Sequence, residues 1–309
     1  MLIHPDIPYV ISADVAGLMG RWAEANGLAV PSDSYFKELS LALGEKIIAT
    51  TGYFVEVVPE AEMRQGMEDM IVSSKNPVIS LDRAYIEEDN PNVAGFIDST
   101  RAISQRTDRS GVRRFSGVTG LSARPGHPSV EQQIEALRTD EIYPVTLADD
   151  VIFNGDGATD IASRLKAVNR PVEKIVAGIG IAAGVAKLNT AGIEVECLRV
   201  YDSVADEVCE RDFIAGVPMS GRTVIGQRNH HWSAPYFRPY GDPESWASIP
   251  AENCQELSRF CLAQSVSLWR EVELASGREI GCTEVPRTLY GAEGRVSIVE
   301  LLQQDFVKL

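Results

Sequence analysis

Short apolar runs, separated by segments of helical periodicity, fill the middle of the chain. Four of these runs are rich in Val, Ile, Leu and Ala, which is typical of strands buried on both faces of a sheet. They lie at residues 77–81, 145–148, 174–182 and 193–200. Residues 158–165 and 183–190 carry apolar side chains at helical spacing. Because strands that alternate with helices pair in parallel through right-handed crossovers, residues 76–205 are predicted to form a doubly wound, mostly parallel α/β sheet.

The segments on either side of this core follow other patterns. Residues 1–75 are predicted to be mostly helical and are interpreted as an accessory layer on the sheet. From residue 206 a long irregular stretch is rich in aromatic residues, Arg and Gly, a composition that argues against disorder. Helices are predicted at residues 251–269 and 297–306. The predicted divisions are an N-terminal helical segment (1–75), an α/β core (76–205) and a C-terminal hood with helices (206–309).

The plainest chemical signal lies where the strand at residues 145–148 ends. Asp149 and Asp150 follow it, and two adjacent like charges are costly to bury in a purely structural role. Residues 154–157 then supply a glycine loop, and Ala158 is predicted to begin a helix. Ligands of open α/β sheets bind beyond the carboxyl ends of the strands, and a glycine loop that opens a helix offers N–H groups to a phosphate.

The acidic pair and the loop suit different parts of one ligand. Carboxylates repel phosphate, so Asp149 and Asp150 are better matched to sugar hydroxyls or to Mg²⁺. The glycine loop is matched to an anion. A phosphorylated ribose satisfies both, while an ordinary solvated loop with a helix cap is the alternative interpretation.

Residues 145–159, with the sequence VTLADDVIFNGDGAT, resemble the ribose-phosphate signature of type I phosphoribosyltransferases. The resemblance implies a phosphoribosyltransferase type of sheet and an enzyme that uses 5-phosphoribosyl 1-diphosphate with Mg²⁺. It would transfer phosphoribosyl to a nucleophile and release pyrophosphate. By position, Asp149 and Asp150 would hold the ribose and the metal and serve catalysis. The 5-phosphate would contact Asn154, Gly155, Asp156, Gly157, Ala158 and Thr159.

Two departures from the family pattern leave alternatives open. The family usually has Thr at the positions of Asn154 and Gly157, and Thr159 is a substitute for one of them. Purine-salvage members carry an Asp where this chain has Phe153, so hypoxanthine or guanine salvage is not expected. A regulatory protein that binds ribose phosphate without catalysis stays open, as does a ribose-phosphate hydrolase or phosphorylase. The sequence does not identify the acceptor.

Basic residues supply candidates for binding the diphosphate. Arg83 follows the first core strand, where the family binds pyrophosphate, although a surface salt bridge is the alternative. Residues 101–114 carry a net charge of +4 in a chain of net charge −15, and their Ser, Thr and Gly content predicts a mobile loop. Related enzymes have a flap here that would exclude water from the reactive sugar. The lid candidates are Arg106, Arg109, Arg113 and Arg114, while a solvated loop or a subunit contact is the alternative.

Further polar residues are candidates for contacts with the acceptor. In the hood these are Arg211, Arg222, His230 and His231. The adjacent His pair lacks the i, i+4 spacing of helical metal ligands, so a metal site is not expected there. Arg124 and His127, in a Pro/Gly connector, are placed to face the site, but neither is predicted to be a catalyst.

Composition narrows the class of protein. Apolar residues at 44% and charged residues at 24% are typical of a soluble globular protein. No apolar stretch is long enough for a membrane span, and the N-terminus lacks the basic start of a signal peptide, so a cytoplasmic protein is expected. The acidic net charge argues against general nucleic-acid binding. Five Cys residues without a CxxC pair indicate reduced thiols. The expected partners are small-molecule substrates and a second copy of the chain in a homodimer.

Overall fold

The computed structural model describes residues 4–107, 113–225, 231–289, 292 and 297–309. The described strands are β1 (His4–Ser12), β2 (Tyr53–Val58), β3 (Val78–Ser80), β4 (Val93–Phe96), β5 (Ser99–Thr107), β6 (Arg113–Ala123), β7 (Val145–Ile152), β8 (Val172–Ile181), β9 (Glu194–Tyr201), β10 (Asp206–Cys209), β11 (Arg222–Ile225) and β12 (His231–Ala234). The described α-helices are α1 (Val15–Ala25), α2 (Asp33–Thr51), α3 (Glu60–Val72), α4 (Val130–Glu135), α5 (Asp156–Ala167), α6 (Ala182–Thr190), α7 (Pro243–Ala247), α8 (Cys254–Ser276) and α9 (Ile298–Lys308).

The chain divides into two units, which we call the α/β unit (residues 59–100 and 121–204) and the second unit (residues 1–58, 101–120 and 205–309). This grouping differs from the three segments predicted from the sequence. The reason is that β1, which was not predicted, pairs with both β2 and β10. That pairing joins the N-terminal residues and the C-terminal segment in one sheet.

The α/β unit contains a sheet of five parallel strands in the order β4-β3-β7-β8-β9. Strands β7 and β8 are buried at most of their positions because both faces are covered. On one face, Leu147 and Ile175 pack with Ile161 and Leu165 of α5, and all four are fully buried. On the other face, α3 packs against β8 and β9. The predicted parallel α/β sheet is confirmed.

Close approach of α3 to the sheet requires glycine in β8. A Cβ atom on Gly178 would lie 2.2 Å from Cε of Met63, which is fully buried. Met63 therefore packs the helix against the sheet.

The second unit has two sheets and a helical layer. One sheet is parallel, in the order β10-β1-β2, and the other has the order β12-β11-β5-β6. Helices α1, α2 and α8 enclose a core around Trp269 and Tyr9, both fully buried. The predicted helices near both ends of residues 251–309 are confirmed as α8 and α9. The stretch from residue 206, predicted to be irregular, includes the short strands β10, β11 and β12.

The prediction of a loop at residues 101–114 is wrong for the residues of this segment that the structure describes. Arg101 and Arg106 lie in β5, and Arg113 and Arg114 lie in β6. Strand β5 pairs in parallel with β11, and Ile103 is buried beside Val224. Strands β11 and β6 lie on the two sides of β5 and hold a segment whose own sequence is mostly polar. Among the described residues no helix is long and apolar enough to cross a membrane.

Candidate functional site

The acidic pair lies inside a strand, not beyond its end. Strand β7 continues to Ile152, so the prediction of a strand ending at residue 148 was too short. The extension is stabilised by pairing, because Asp149 stands in register with Ala177 and Val151 with Ile179 of β8. Asp149 Oδ1 accepts the N–H of Asp150 at 3.0 Å, so the Asp149 carboxylate lies against the next residue of the strand.

Three acidic residues, Asp82, Asp149 and Asp150, lie close together at the carboxyl edge of the sheet. Leu81 donates its N–H to the carbonyl of Ala148 at 2.8 Å, which places the chain after β3 beside β7. Asp82 follows at once. Burial raises the pKa of Asp149 well above its ordinary value, and the charges of Asp150 and Asp82 raise it further. Crowded carboxylates of this kind bind cations and hydroxyl donors well, because either one relieves the repulsion.

Asp82 was not singled out from the sequence, although its structural role is clear. Its side chain is only 1% exposed, and its carboxylate accepts N–H groups from Ala84, Tyr85 and Ile86 at 2.9, 2.8 and 3.2 Å. These bonds fold the loop after β3 into a tight turn. An Asp placed directly after a short apolar run was the available signal, since Asp commonly caps its own following backbone.

The loop after β7 is tighter than its glycine content suggested. Helix α5 begins at Asp156, two residues earlier than predicted, and Gly155 takes the left-handed conformation with φ of 73°. Asn154 Oδ1 accepts the N–H of Asp156 at 3.0 Å. A Cβ on Gly155 would lie 3.1 Å from the carbonyl oxygen of Gly184, so glycine is required by contact as well as by conformation.

Two N–H groups of this helix start remain available for an anion. Within the described residues, the N–H groups of Gly157 and Ala158 have no hydrogen-bond acceptor, which is the usual state of a first helical turn. Two neighbours limit the site. The Thr159 hydroxyl donates to the carbonyl of Gly155 at 2.7 Å, and the Asp156 carboxylate forms an ion pair with Lys187. An incoming phosphate would have to displace or accommodate the Asp156 carboxylate.

The oxygen ligands at this edge of the sheet can be compared with those that Mg²⁺ requires. Within the described residues, no cluster of three or more His, Cys, Asp or Glu is placed to hold a metal by protein groups alone. Mg²⁺ usually takes one or two protein carboxylates and completes its shell with water and substrate phosphates. Asp149 and Asp150 supply that number. Burial raises the pKa of Asp149 most, and a cation would offset the further contribution from the charges of Asp150 and Asp82. The residues present therefore fit a Mg²⁺ ion that arrives with a phosphorylated substrate.

Arg83 lies at the same edge but is engaged by protein groups. Its guanidinium binds both oxygens of Asp98, with Nη2 2.8 Å from Oδ2, and it stacks over the ring of Phe96 at 4.2 Å. Nη1 lies 3.5 Å from Glu88. The salt bridge that the sequence left as the alternative for Arg83 is therefore present.

The remaining predicted residues belong to the second unit. Arg211 is buried and pairs with Asp14, whose pKa is raised to about 8 because burial outweighs the attraction of the guanidinium. Arg222 stacks over the rings of Trp246 and Tyr236, at 4.6 and 5.4 Å. Arg106, Arg113, Arg114 and His231 lie in strands of the second unit. Arg109 and His230 lie outside the described residues.

Comparison with known proteins finds similar structures but no similar sequences. No protein-family model and no curated protein matches the chain. UMP synthase of Leishmania donovani is 14% identical with a TM-score of 0.29, and the match covers 51% of this chain and 29% of that one. Adenine phosphoribosyltransferase of Thermoanaerobacter pseudethanolicus is 11% identical with a TM-score of 0.31, covering 46% and 80%. Orotate phosphoribosyltransferase of Mycobacterium tuberculosis, in complex with inorganic phosphate, is 13% identical with a TM-score of 0.26, covering 46% and 70%.

The resemblance to type I phosphoribosyltransferases is thus confirmed as a set of structural matches over about half of the chain, at low identity. Matches this distant carry no argument about substrate or activity. What the chain does has to be inferred from its own side chains.

Proposed function

We propose that the α/β unit binds a phosphorylated ribose at its carboxyl edge and that the protein transfers phosphoribosyl from 5-phosphoribosyl 1-diphosphate to a small nucleophile, with release of pyrophosphate. The observation that carries this proposal is one strand–turn–helix unit. It carries the Asp149 and Asp150 carboxylates near the end of β7 and, a few residues later, the free N–H groups of Gly157 and Ala158 at the start of α5. One ligand that carries both hydroxyls and an anion satisfies both groups of donors and acceptors.

Each part of the edge has a chemical task in this proposal. Asp149 and Asp150 accept hydrogen bonds from the ribose hydroxyls and hold the sugar in place, which orients its anomeric carbon. The first turn of α5 receives the 5-phosphate. Bound Mg²⁺ would neutralise charge on the leaving diphosphate. Because the transition state resembles a sugar cation, the carboxylates also stabilise the positive charge that develops on the ring.

A second candidate function is a regulatory protein that binds ribose phosphate without turnover. Three contacts favour it. The Asp156 carboxylate occupies the positive end of α5, the Thr159 hydroxyl is bonded to the backbone, and Arg83 is engaged by Asp98. Each of these removes a group that would otherwise bind phosphate or diphosphate. A sensor needs affinity alone and tolerates these losses better than an enzyme does.

Pyrophosphate release separates the two functions. Purified protein with 5-phosphoribosyl 1-diphosphate and Mg²⁺ is screened against bases, amines and small acids, and release that depends on an added acceptor supports the transferase. The double variant Asp149→Asn, Asp150→Asn should abolish it, because amides neither bind Mg²⁺ as strongly nor accept as well from hydroxyls. Binding of the donor without release under any acceptor would favour the sensor.

A matched control removes one carboxylate elsewhere in the same unit. Asp140 is exposed and lies outside the edge, so Asp140→Asn should retain full release and donor binding. Thermal unfolding of both variants shows whether the fold is intact. Normal turnover by the double variant would contradict the assignment of the site.

A further inference from the structure

A second acidic group stands at the same edge of the five-stranded sheet. Strand β4 ends at Phe96, Ile97 donates its N–H to the carbonyl of Ser80 at 2.9 Å, and Asp98 follows. Asp98 thus extends the row of strand ends that holds Asp82 and Asp149. Neighbouring strands lie about 4.8 Å apart, so Asp98 is separated from the acidic pair of β7 by two strand spacings, roughly 10 Å along the edge. A sugar diphosphate together with an acceptor molecule extends over such a distance.

His127 is held against Asp98. Nδ1 of the imidazole lies 3.0 Å from Oδ2 of Asp98, whose side chain is only 5% exposed, while the His127 side chain is 38% exposed. Within the described residues, no other hydrogen bond or ion pair of the ring nitrogens is present. A carboxylate at Nδ1 favours the tautomer that carries its proton there, which leaves Nε2 as a proton acceptor open to solvent and ligands.

Hydrogen bonds to backbone groups hold Asp98 and His127 at the end of the sheet. Gln133 brackets Asp98, since its Oε1 accepts the Asp98 N–H at 2.6 Å and its Nε2 donates to the Asp98 carbonyl at 3.2 Å. The same Nε2 donates to the carbonyl of Pro128 at 2.8 Å. Arg124 donates its N–H to the Asp98 carbonyl at 3.0 Å, and His127 donates its own to the Arg124 carbonyl at 3.1 Å. The connector that carries His127 is therefore anchored on both sides to the end of β4.

Arg83 completes the arrangement. Its guanidinium binds both Asp98 oxygens from the side of β3, which orients the carboxylate toward the ring. The charged groups around the imidazole are thus Asp98, Arg83 and, through Arg83, Glu88. A partly exposed His, oriented by a buried carboxylate at the end of a strand of this sheet, is the arrangement of a general base.

We propose that His127 accepts the proton of the nucleophile during phosphoribosyl transfer, with Asp98 as a positioning residue. The inference rests on the proposed function. The nucleophile forms its bond to the anomeric carbon while the bond from that carbon to the diphosphate oxygen breaks, and the electron pair of that bond leaves with pyrophosphate. The proton lost by the nucleophile moves to Nε2, and the resulting imidazolium faces the Asp98 carboxylate. Deprotonation of the free enzyme by solvent restores the neutral ring.

The test compares His127→Ala with Asp140→Asn, which changes an exposed side chain outside this ion cluster. His127→Ala should lower kcat by about 10²- to 10⁴-fold, the usual contribution of a general base, while KM for the donor stays within about twofold. It should also abolish the acidic limb of the pH profile, and added imidazole should restore part of the lost rate. Asp140→Asn should retain the wild-type rate and pH profile.

Other outcomes would overturn the inference. A His127→Ala enzyme with the wild-type rate and pH profile would show that the imidazole takes no part. A loss of donor affinity and thermal stability without rescue by imidazole would show that the cluster is structural. Neither of these two results contradicts the proposed function, because both are measured relative to a wild-type protein that releases pyrophosphate. Failure of the wild-type protein to release pyrophosphate with any acceptor would remove the proposed function and this inference together, which distinguishes the two failures.

Discussion

The acidic segment at residues 145–159 and the basic segment at residues 101–114 differ in what determines their structure. In the acidic segment the strand, the turn at Gly155 and the start of α5 follow one another within fifteen residues. Each step has a local cause in apolar residues, backbone freedom or helical spacing. In the basic segment, β5 lies between β6, the next strand along the chain, and β11, which is more than a hundred residues away along the chain. Local sequence predicts the first kind of structure well and the second kind poorly.

The largest effect is expected from the residue that anchors β5. Ile103 is 1% exposed and packs against Val224 and Ala234. Ile103→Ala should lower the free energy of unfolding by about 2–4 kcal/mol, because it leaves a cavity in a packed interior. Denaturant unfolding measures this change, and Leu41→Ala, at a position 64% exposed, is the control with little expected effect. An Ile103→Ala protein as stable as the control would mean that this segment is a loop in solution.

The same contrast explains how much of the fold could be predicted from the sequence. Strands β7, β8 and β9 and helices α5 and α6 were predicted because their apolar positions follow a single period. Strand β1 was missed because its sequence, with two Pro residues, lacks a clear alternation, and its pairing partners β2 and β10 lie far away along the chain. Long-range pairing of this kind leaves little trace in a local window.

For the candidate site, the residues themselves were easier to predict than the contacts that their side chains make. Asp149, Asp150 and the glycine turn stood out as residue types in a specific order. The engagement of Arg83 by Asp98, of Thr159 by Gly155 and of Asp156 by Lys187 depends on three-dimensional neighbours and was not predictable. His127 illustrates the same limit, since only the fold brings it to Asp98, a residue 29 positions earlier in the chain.

The predicted lid can be tested now that its described residues lie in strands. If Arg113 and Arg114 bind the diphosphate, the double variant Arg113→Glu, Arg114→Glu should weaken donor binding by about tenfold to a hundredfold, the usual value of lost charge-assisted hydrogen bonds. Ribose 5-phosphate lacks the diphosphate, so its affinity should not change. Isothermal titration with both ligands makes the comparison, and equal affinities of the variant and the wild type for the donor would exclude the lid role.

The smallest effect concerns the protonation of Asp149, and it probes the acidic segment directly. Burial and the neighbouring Asp150 and Asp82 raise the pKa of this carboxyl group, so the folded protein retains a proton that the unfolded chain has lost. The contribution of this group to stability is fully present below the unfolded pKa and is lost as pH rises through the raised folded pKa. Binding of Mg²⁺ has the opposite dependence on pH, because it requires the ionised carboxylate.

The affinity for Mg²⁺ with ribose 5-phosphate should therefore rise as pH rises toward the raised pKa of Asp149, by up to about tenfold for each pH unit. Up to one proton should be released per bound complex, which titration in buffers of different ionisation enthalpy measures. Asp149→Asn should remove both the proton release and this pH dependence, while the exposed-site variant Asp140→Asn keeps them. Proton release that persists in Asp149→Asn would mean that another group titrates. The raised pKa of Asp149 would then reflect its burial in the sheet and not a cation site.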